Sequence, residues 1–218
     1  MQPDSLTLAF DTSVAHCAAA LLCGDQVLHE LAEPIAKGQA ERLFPLLDDL
    51  LSKAGVGWSD LGCIGVGVGP GNFTGIRISV AAARGLAMSL GIPAVGVSSL
   101  EAQTEGLEGV VVSVLDARHG NYYFQAFGNL ERAQPTKCTL ETLPSIPART
   151  EPTVVGCDAG LIAQECAGHV SAPMFPIAVA IGRIARRRAH GTKSRPVPLY
   201  LRAPDAAPPK NPAPDILP

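Results

Sequence analysis

The chain has 218 residues, with 17 lysines and arginines against 20 aspartates and glutamates, and a formal net charge of −3. Hydrophobic residues make up 47% and charged residues 17%, which supplies one large or two small cores and excludes a largely disordered chain. The acidic balance argues against a dedicated nucleic-acid binder, which carries a basic excess, but not against a protein that reaches RNA through a partner.

Residues 6–10 read as a β-strand that ends at Asp11-Thr12-Ser13. Two further strand candidates, 16–23 and 26–32, are separated by Gly24-Asp25, a turn close in type to those that close hairpins. From 39 to 54 the pattern becomes helical: Leu43, Leu47, Leu50 and Ala54 recur on one stripe, which Phe44 and Leu51 widen. Pro45 requires that this helix start nearby or kink, and Gly55 is its stop signal. A strand over 63–68 leads into Gly69-Pro70-Gly71-Asn72-Phe73-Thr74-Gly75-Ile76-Arg77, followed by a helix over 74–90 and a strand over 94–97.

After Gly106 the plan restarts, with a strand over 110–115, the turn Asp116-Ala117-Arg118-His119-Gly120 and a strand over 121–127. A strand, an aspartate-bearing turn and a second strand thus occur twice, at Asp11 and at Asp116. This predicts an α/β fold of two duplicated βββα-type halves with mixed sheets, over 1–106 and 107–202, the second smaller and less regular. The later elements are a strand over 153–156, a helix over 159–167, and a helix over 176–190 with Ile177, Ile181 and Ile184 on one face. Residues 203–218 form a proline-rich tail, expected to be extended.

Six cysteines show no C-x-x-C pair and no zinc-type spacing, and most sit among apolar neighbours, as small hydrophobes do in a reducing compartment. The N-terminus lacks the basic start and apolar core of a signal peptide, and no apolar run reaches about 18 residues. A soluble, cytoplasmic protein without membrane contact is expected.

A strand that breaks at glycines and restarts as a helix leaves backbone N–H groups free and points the positive end of the helix dipole at the junction. Such turns hold phosphate. Asp11-Thr12-Ser13 either joins this turn, the carboxylate ordering metal-bound water and the hydroxyls donating to phosphate, or caps its own backbone. The candidate phosphate residues are Asp11, Thr12, Ser13, Gly69, Gly71, Thr74 and Gly75. No Walker-type loop and no G-x-S-x-G elbow occurs, and His119 reads as a turn residue, so no catalytic residue is assigned.

Ile76, Val80, Ala83 and Ala87 share one face of the helix after the glycine turn, and Ser79, Ala81, Ala82 and Gly85 keep it narrow. Small residues let a second helix approach closely. Leu43 and Leu47 on the preceding helix extend the patch, and Arg77 and Arg84 flank it. The competing reading is that both helices cover their own sheet. Arg183, Arg186, Arg187 and Arg188 either complement the dipole of the last helix or contact nucleic-acid phosphates or an acidic partner.

Leu8-Ala9-Phe10-Asp11-Thr12-Ser13, the glycine block at 69–77, Leu115-Asp116-Ala117-Arg118 and Leu199-Tyr200-Leu201-Arg202 together resemble the bacterial tRNA threonylcarbamoyladenosine biosynthesis family TsaB (YeaZ), in matching order from about residue 6 to 202. The resemblance implies the actin-like ATPase (ribonuclease H-like) fold. It further implies a non-catalytic subunit that supports the threonylcarbamoyltransferase TsaD, pairs with it or with a second copy of itself through the two helices, and helps recruit the ATPase TsaE. Contact with tRNA would be indirect.

The catalytic relative carries an H-x-E-G-H metal motif after the strand that follows the glycine-turn helix. Here Glu101 keeps the glutamate, while Ser99 and Gln103 stand where the histidines would be, so no metal is expected. No cofactor is required on this reading, and weak ATP or ADP binding is compatible with it. The alternative is an active small-molecule kinase or ATPase of the same fold using Asp11, Gly69–Gly75 and Asp116.

Overall fold

The computed structural model describes residues 5–128, 134–147, 150–192 and 194–201. The first half runs β1 (Leu6–Asp11), β2 (His16–Cys23), β3 (Gln26–Pro34), α1 (Gln39–Ala54), β4 (Leu61–Gly67), α2 (Phe73–Leu90), β5 (Ala94–Val97) and α3 (Ser99–Ala102). The second runs β6 (Val111–Asp116), β7 (Tyr122–Phe127), β8 (Thr136–Cys138), β9 (Thr153–Gly156), α4 (Ala159–Cys166), β10 (His169–Val170) and α5 (Ile177–Arg188).

The two sheets have the same plan. The first is ordered β3-β2-β1-β4-β5 and the second, read from the other edge, β8-β7-β6-β9-β10. In each, the first three strands form an antiparallel meander, and the remaining two continue it in parallel. The duplication expected from the aspartate turns is therefore present in the topology. Where the first half has α1, the second has a 3-10 turn at Leu140–Thr142, which makes it smaller. The expected tail, 203–218, lies outside the described residues, as does Arg202 of the last family block.

Period-2 alternation divides the first sheet between two layers. Leu8 and Phe10 point toward α1 and α2, where they join Leu43, Leu47, Leu50, Ile76 and Val80 in one buried cluster. Ala9, between them, faces α5 with Val95, Ile181 and Ile184. α1 runs through Pro45 on its exposed side and ends at Gly55, which adopts φ 69° as a left-handed cap.

The sequence does not disclose where α5 goes. It follows the second sheet but packs on the first. It comes close because both surfaces are small: a Cβ on Gly65 would lie 2.8 Å from that of Ala185, and one on Gly182 would lie 2.5 Å from Leu22 Cδ1. The basic residues at its C-terminal end hold it there. Arg187 donates two hydrogen bonds to Glu105, at 2.7 and 2.5 Å, and Arg183 approaches the same carboxylate at 3.4 Å. Arg186 bonds Asp25 at 2.8 Å and Arg188 pairs with Glu101. The arginine cluster is thus engaged within the chain.

Two expectations test this packing. Val80 is 3% exposed and sits in the α1–α2 core. Val80→Glu should therefore cost about 3–5 kcal/mol by burying an unpaired charge, seen as a large fall in the urea midpoint of the isolated chain. An unchanged midpoint would place Val80 outside the core.

Burial alone pushes the Glu105 carboxyl up, but hydrogen bonds and charge from Arg187 and Arg183 outweigh it and hold it below the usual carboxylate range. Its stabilising contribution is therefore complete above the unfolded value of about 4.3 and is lost as pH falls through the lower folded value. Glu105→Gln should lower the urea midpoint at neutral pH, and the gap from the parent should close on acidification. A gap that widens in acid would contradict the assignment.

Candidate functional site

Asp11 ends β1, and its Oδ2 accepts hydrogen bonds from Ser13 N at 3.2 Å and Ser13 Oγ at 2.9 Å, with His16 Nε2 at 2.8 Å. The other oxygen, Oδ1, is buried without a hydrogen-bond partner and occupies the space a side chain on Gly67 would fill. Thr12 Oγ1 donates to Gly75 O at 2.7 Å, and Ser13 Oγ lies 3.3 Å from Ser99 Oγ. Gln39, the first residue of α1, braces the loop from the other side, its Nε2 reaching the carbonyls of Val14 at 2.6 Å, His16 at 2.8 Å and Thr12 at 3.2 Å.

The glycine turn lies directly on this loop. A Cβ on Gly71 would collide with Ser13 O, and one on Gly75 with Thr12 O. Glycine is required at both positions by backbone touching backbone. Gly69 has φ 92° and its carbonyl accepts from Ser99 N at 2.8 Å. The structure thus brings Asp11, Thr12 and Ser13 together with Gly69, Gly71 and Gly75, as the sequence predicts, but with no gap between the two segments. Asp11, Thr12 and Ser13 are at most 1% exposed.

The donors that would cradle a phosphate are already used. Asn72 caps α2, its Oδ1 accepting from Thr74 N at 2.9 Å and Gly75 N at 3.3 Å, while Asn72 N donates to Ser13 O at 2.6 Å. Asn72 was legible as an N-cap signal ahead of a helix, whereas Gln39 carried no comparable signal. Thr74 itself stands exposed on the first turn. In the second half the equivalent Asp116 is exposed, its Oδ1 accepting from Arg118 N at 2.6 Å. His119 is an exposed turn residue with φ 54°.

The three positions aligned with the metal motif of the catalytic relative are each engaged elsewhere. Ser99 faces Ser13, Gln103 Oε1 accepts from Ser113 Oγ at 2.9 Å, and Glu101 pairs with Arg188. Burial pushes the Cys63 thiol up to about 12, which leaves it unreactive. Among the described residues, no helix is long and apolar enough to cross a membrane.

The expected partner face needs correction. Leu43, Leu47, Ile76, Val80 and Ala83 are buried in the chain's own core, because the most apolar stripe of each helix covers the sheet beneath it. Ala87 is half-buried. The outer face of α2 instead presents Arg77, Ala81, Arg84, Gly85 and Met88, the last 78% exposed. That of α1 presents Glu41, Phe44, Asp48 and Asp49. Arg77 lies 3.9 Å over the Phe73 ring and donates from Nε to Tyr200 Oη at 3.2 Å. Tyr200 stacks on Phe73 at 4.7 Å between ring centres.

A family model described as "TsaD: tRNA N6-adenosine threonylcarbamoyltransferase" matches residues 32–141, half of the chain. The tRNA threonylcarbamoyladenosine biosynthesis protein TsaB of Haemophilus influenzae is 34% identical over 124 residues, 54% of this chain and 51% of that protein. The match thus spans about half the length of such curated relatives. An uncharacterised protein of Mycobacterium tuberculosis is 32% identical over 228 residues, 94% of this chain and 95% of its own. The solved structure of YeaZ from Pseudomonas aeruginosa superposes with a TM-score of 0.72 at 28% identity, covering 89% of this chain and all of that one. With two mixed five-stranded sheets of repeated order, an actin-like ATPase (ribonuclease H-like) fold, and these relatives, the chain belongs to the TsaB/YeaZ family.

Proposed function

We propose that this protein takes part in making threonylcarbamoyladenosine in tRNA as a non-catalytic subunit, supporting a TsaD-type threonylcarbamoyltransferase by binding it. The observation that carries this reading is the tightly packed glycine turn: Thr74 N and Gly75 N donate to Asn72 Oδ1, Asn72 N donates to Ser13 O, and the Asp11–Ser13 loop lies against Gly71 and Gly75 with no room for a Cβ. A kinase or ATPase of this fold needs that space open. We therefore place the active-kinase reading second, with any ATP or ADP binding weak and without turnover.

What the closed turn still does is aim α2. Ala81 and Gly85 leave a shallow, narrow surface on which another helix can lie, and a Cβ on Gly85 would touch nothing within 4 Å. Arg77 and Arg84 border it, while α1 alongside offers Glu41, Asp48 and Asp49. A basic helix beside an acidic one suits a partner that presents the same pair in the opposite sense, as a TsaD-type relative or a second copy would. Recruitment of the ATPase TsaE belongs to the same proposal, with tRNA reached through the assembled complex.

The purified chain should neither modify tRNA nor hydrolyse ATP in the presence of magnesium, and reconstitution without it should lose most threonylcarbamoylation. Full activity in its absence, or tight ATP binding with turnover by calorimetry, would end the reading. Ala81→Glu should abolish co-purification with the TsaD-type subunit while shifting the melting temperature by less than about 2 °C, because Ala81 is exposed in the free chain. Retained co-purification would remove α2 from the interface.

A further inference from the structure

A cavity of about 210 Å³ lies beside the C-terminal half of α2, away from the Asp11 loop. Its walls come from Arg84 and Met88 on α2, from Ile92–Ala94 before and at the start of β5, and from Thr192, Ser194 and Arg195 on the segment that follows α5. Two arginines and two hydroxyl residues line it, and among the described residues no aspartate or glutamate does.

Acidic residues outnumber basic ones, and Arg42, Arg183, Arg186, Arg187 and Arg188 each hold at least one carboxylate. Among the described residues, Arg84 and Arg195 have none. Arg84 is fixed by its Nε, which donates to Pro196 O at 2.7 Å, and this leaves the rest of its guanidinium as unused donors. Thr192 Oγ1 donates its proton to Arg188 O at 2.9 Å, so it lines the pocket without offering a donor to an anion. The hydroxyl of Ser194 makes no hydrogen bond to the described residues. One guanidinium held by its Nε, a second exposed guanidinium and a free hydroxyl, with no carboxylate among them, supply the kind of donors that a phosphate accepts from.

We propose that this cavity is an oxyanion site that takes a phosphate group, held by Arg84 and Arg195 with Ser194 as a further donor. Size narrows the ligand class. Pockets that enclose drug-sized ligands run to roughly 300–1,000 Å³, so this cavity takes a phosphate and little more, not a whole nucleotide. The phosphate can come from a small phosphorylated molecule or from an RNA backbone. The site shares Arg84 with the proposed partner face, but its occupancy does not depend on that face being an interface.

The test uses the full chain and two probes, inorganic phosphate and unmodified tRNA. Titrating phosphate at constant ionic strength, with chloride as the exchanged anion, should give saturable amide shifts confined to Thr192, Ser194, Arg195 and the end of α2. Arg195→Gln should weaken phosphate binding about tenfold or more, as expected for a lost charge-assisted hydrogen bond. Arg84→Gln should do the same, and the Arg195 variant keeps the test independent of the Arg84–Pro196 contact. If tRNA binding falls in parallel and phosphate competes with it, the source is an RNA backbone. If phosphate binding falls and tRNA is unaffected, the source is a small phosphorylated ligand. Shifts that track ionic strength alone, or phosphate binding indifferent to both substitutions, would overturn the proposal.

Discussion

The constraint on which the rest of this site depends is the direct contact of two backbones. The glycine turn lies so close to the Asp11–Ser13 loop that Gly71 and Gly75 have no room for a methyl group. Their approach lets Asn72 N reach Ser13 O and Thr12 Oγ1 reach Gly75 O. Once these bonds form, the Asn72 side chain takes two of the helix-start donors that would otherwise seek an anion. A feature shaped like a phosphate cradle thus becomes a rivet between β1 and α2. Gln39 completes it from α1, so one loop fixes the starts of both helices whose outer faces carry the proposed interface.

A second constraint ties the two halves. α5 follows the second sheet but covers the rear of the first, where Ala9 and Gly65 make a shallow bed for Gly182 and Ala185 of the helix. Small residues on both sides bring helix and sheet close, but supply modest apolar area per residue. The ends are secured by charge: Arg187 and Arg183 converge on Glu105 just after α3, and Arg186 reaches Asp25 in the β2–β3 turn. Helix-terminal arginines that looked like a basic patch in the sequence therefore serve as clamps. Arg84 and Arg195 contrast with them, since no carboxylate answers their charge among the described residues.

Local signals were legible and long-range ones were not. α1 falls on the expected 39–54, because its leucine stripe and the Gly55 stop are both local. The repeated strand plan was visible in the order of elements. β8 and β10, of three and two residues, are too short to show a period, and the destination of α5 depends on contacts more than 100 residues away in sequence. The stripe of Ile76, Val80 and Ala83 was identified correctly as one face. What a helical wheel does not state is which way that face turns. The apolar stripe went inward, and the surface left exposed on α2 is the less conspicuous one of Ala81 and Gly85. The sequence placed the Asp11 loop beside the glycine turn, but whether a gap between them is open depends on distances of an ångström that no spacing encodes.

The duplication offers an internal comparison. β1 and β6 occupy the same place in identical sheet orders, and each ends in an aspartate. Asp11 is sealed under the glycine turn, whereas Asp116 stays exposed, its carboxylate capping Arg118 N in a turn where Arg118 and His119 both have positive φ. The difference lies in the residues just beyond the neighbouring parallel strand. After β4 come three glycines spaced to meet the loop, and after β9 come Cys157 and Asp158, whose carboxylate is held by Tyr122 Oη at 2.9 Å. Topology fixes where each aspartate stands, and the next few residues fix what it can touch. The first half uses that freedom to pack the glycine turn directly on its aspartate loop, and a shared fold does not by itself argue for ATPase chemistry.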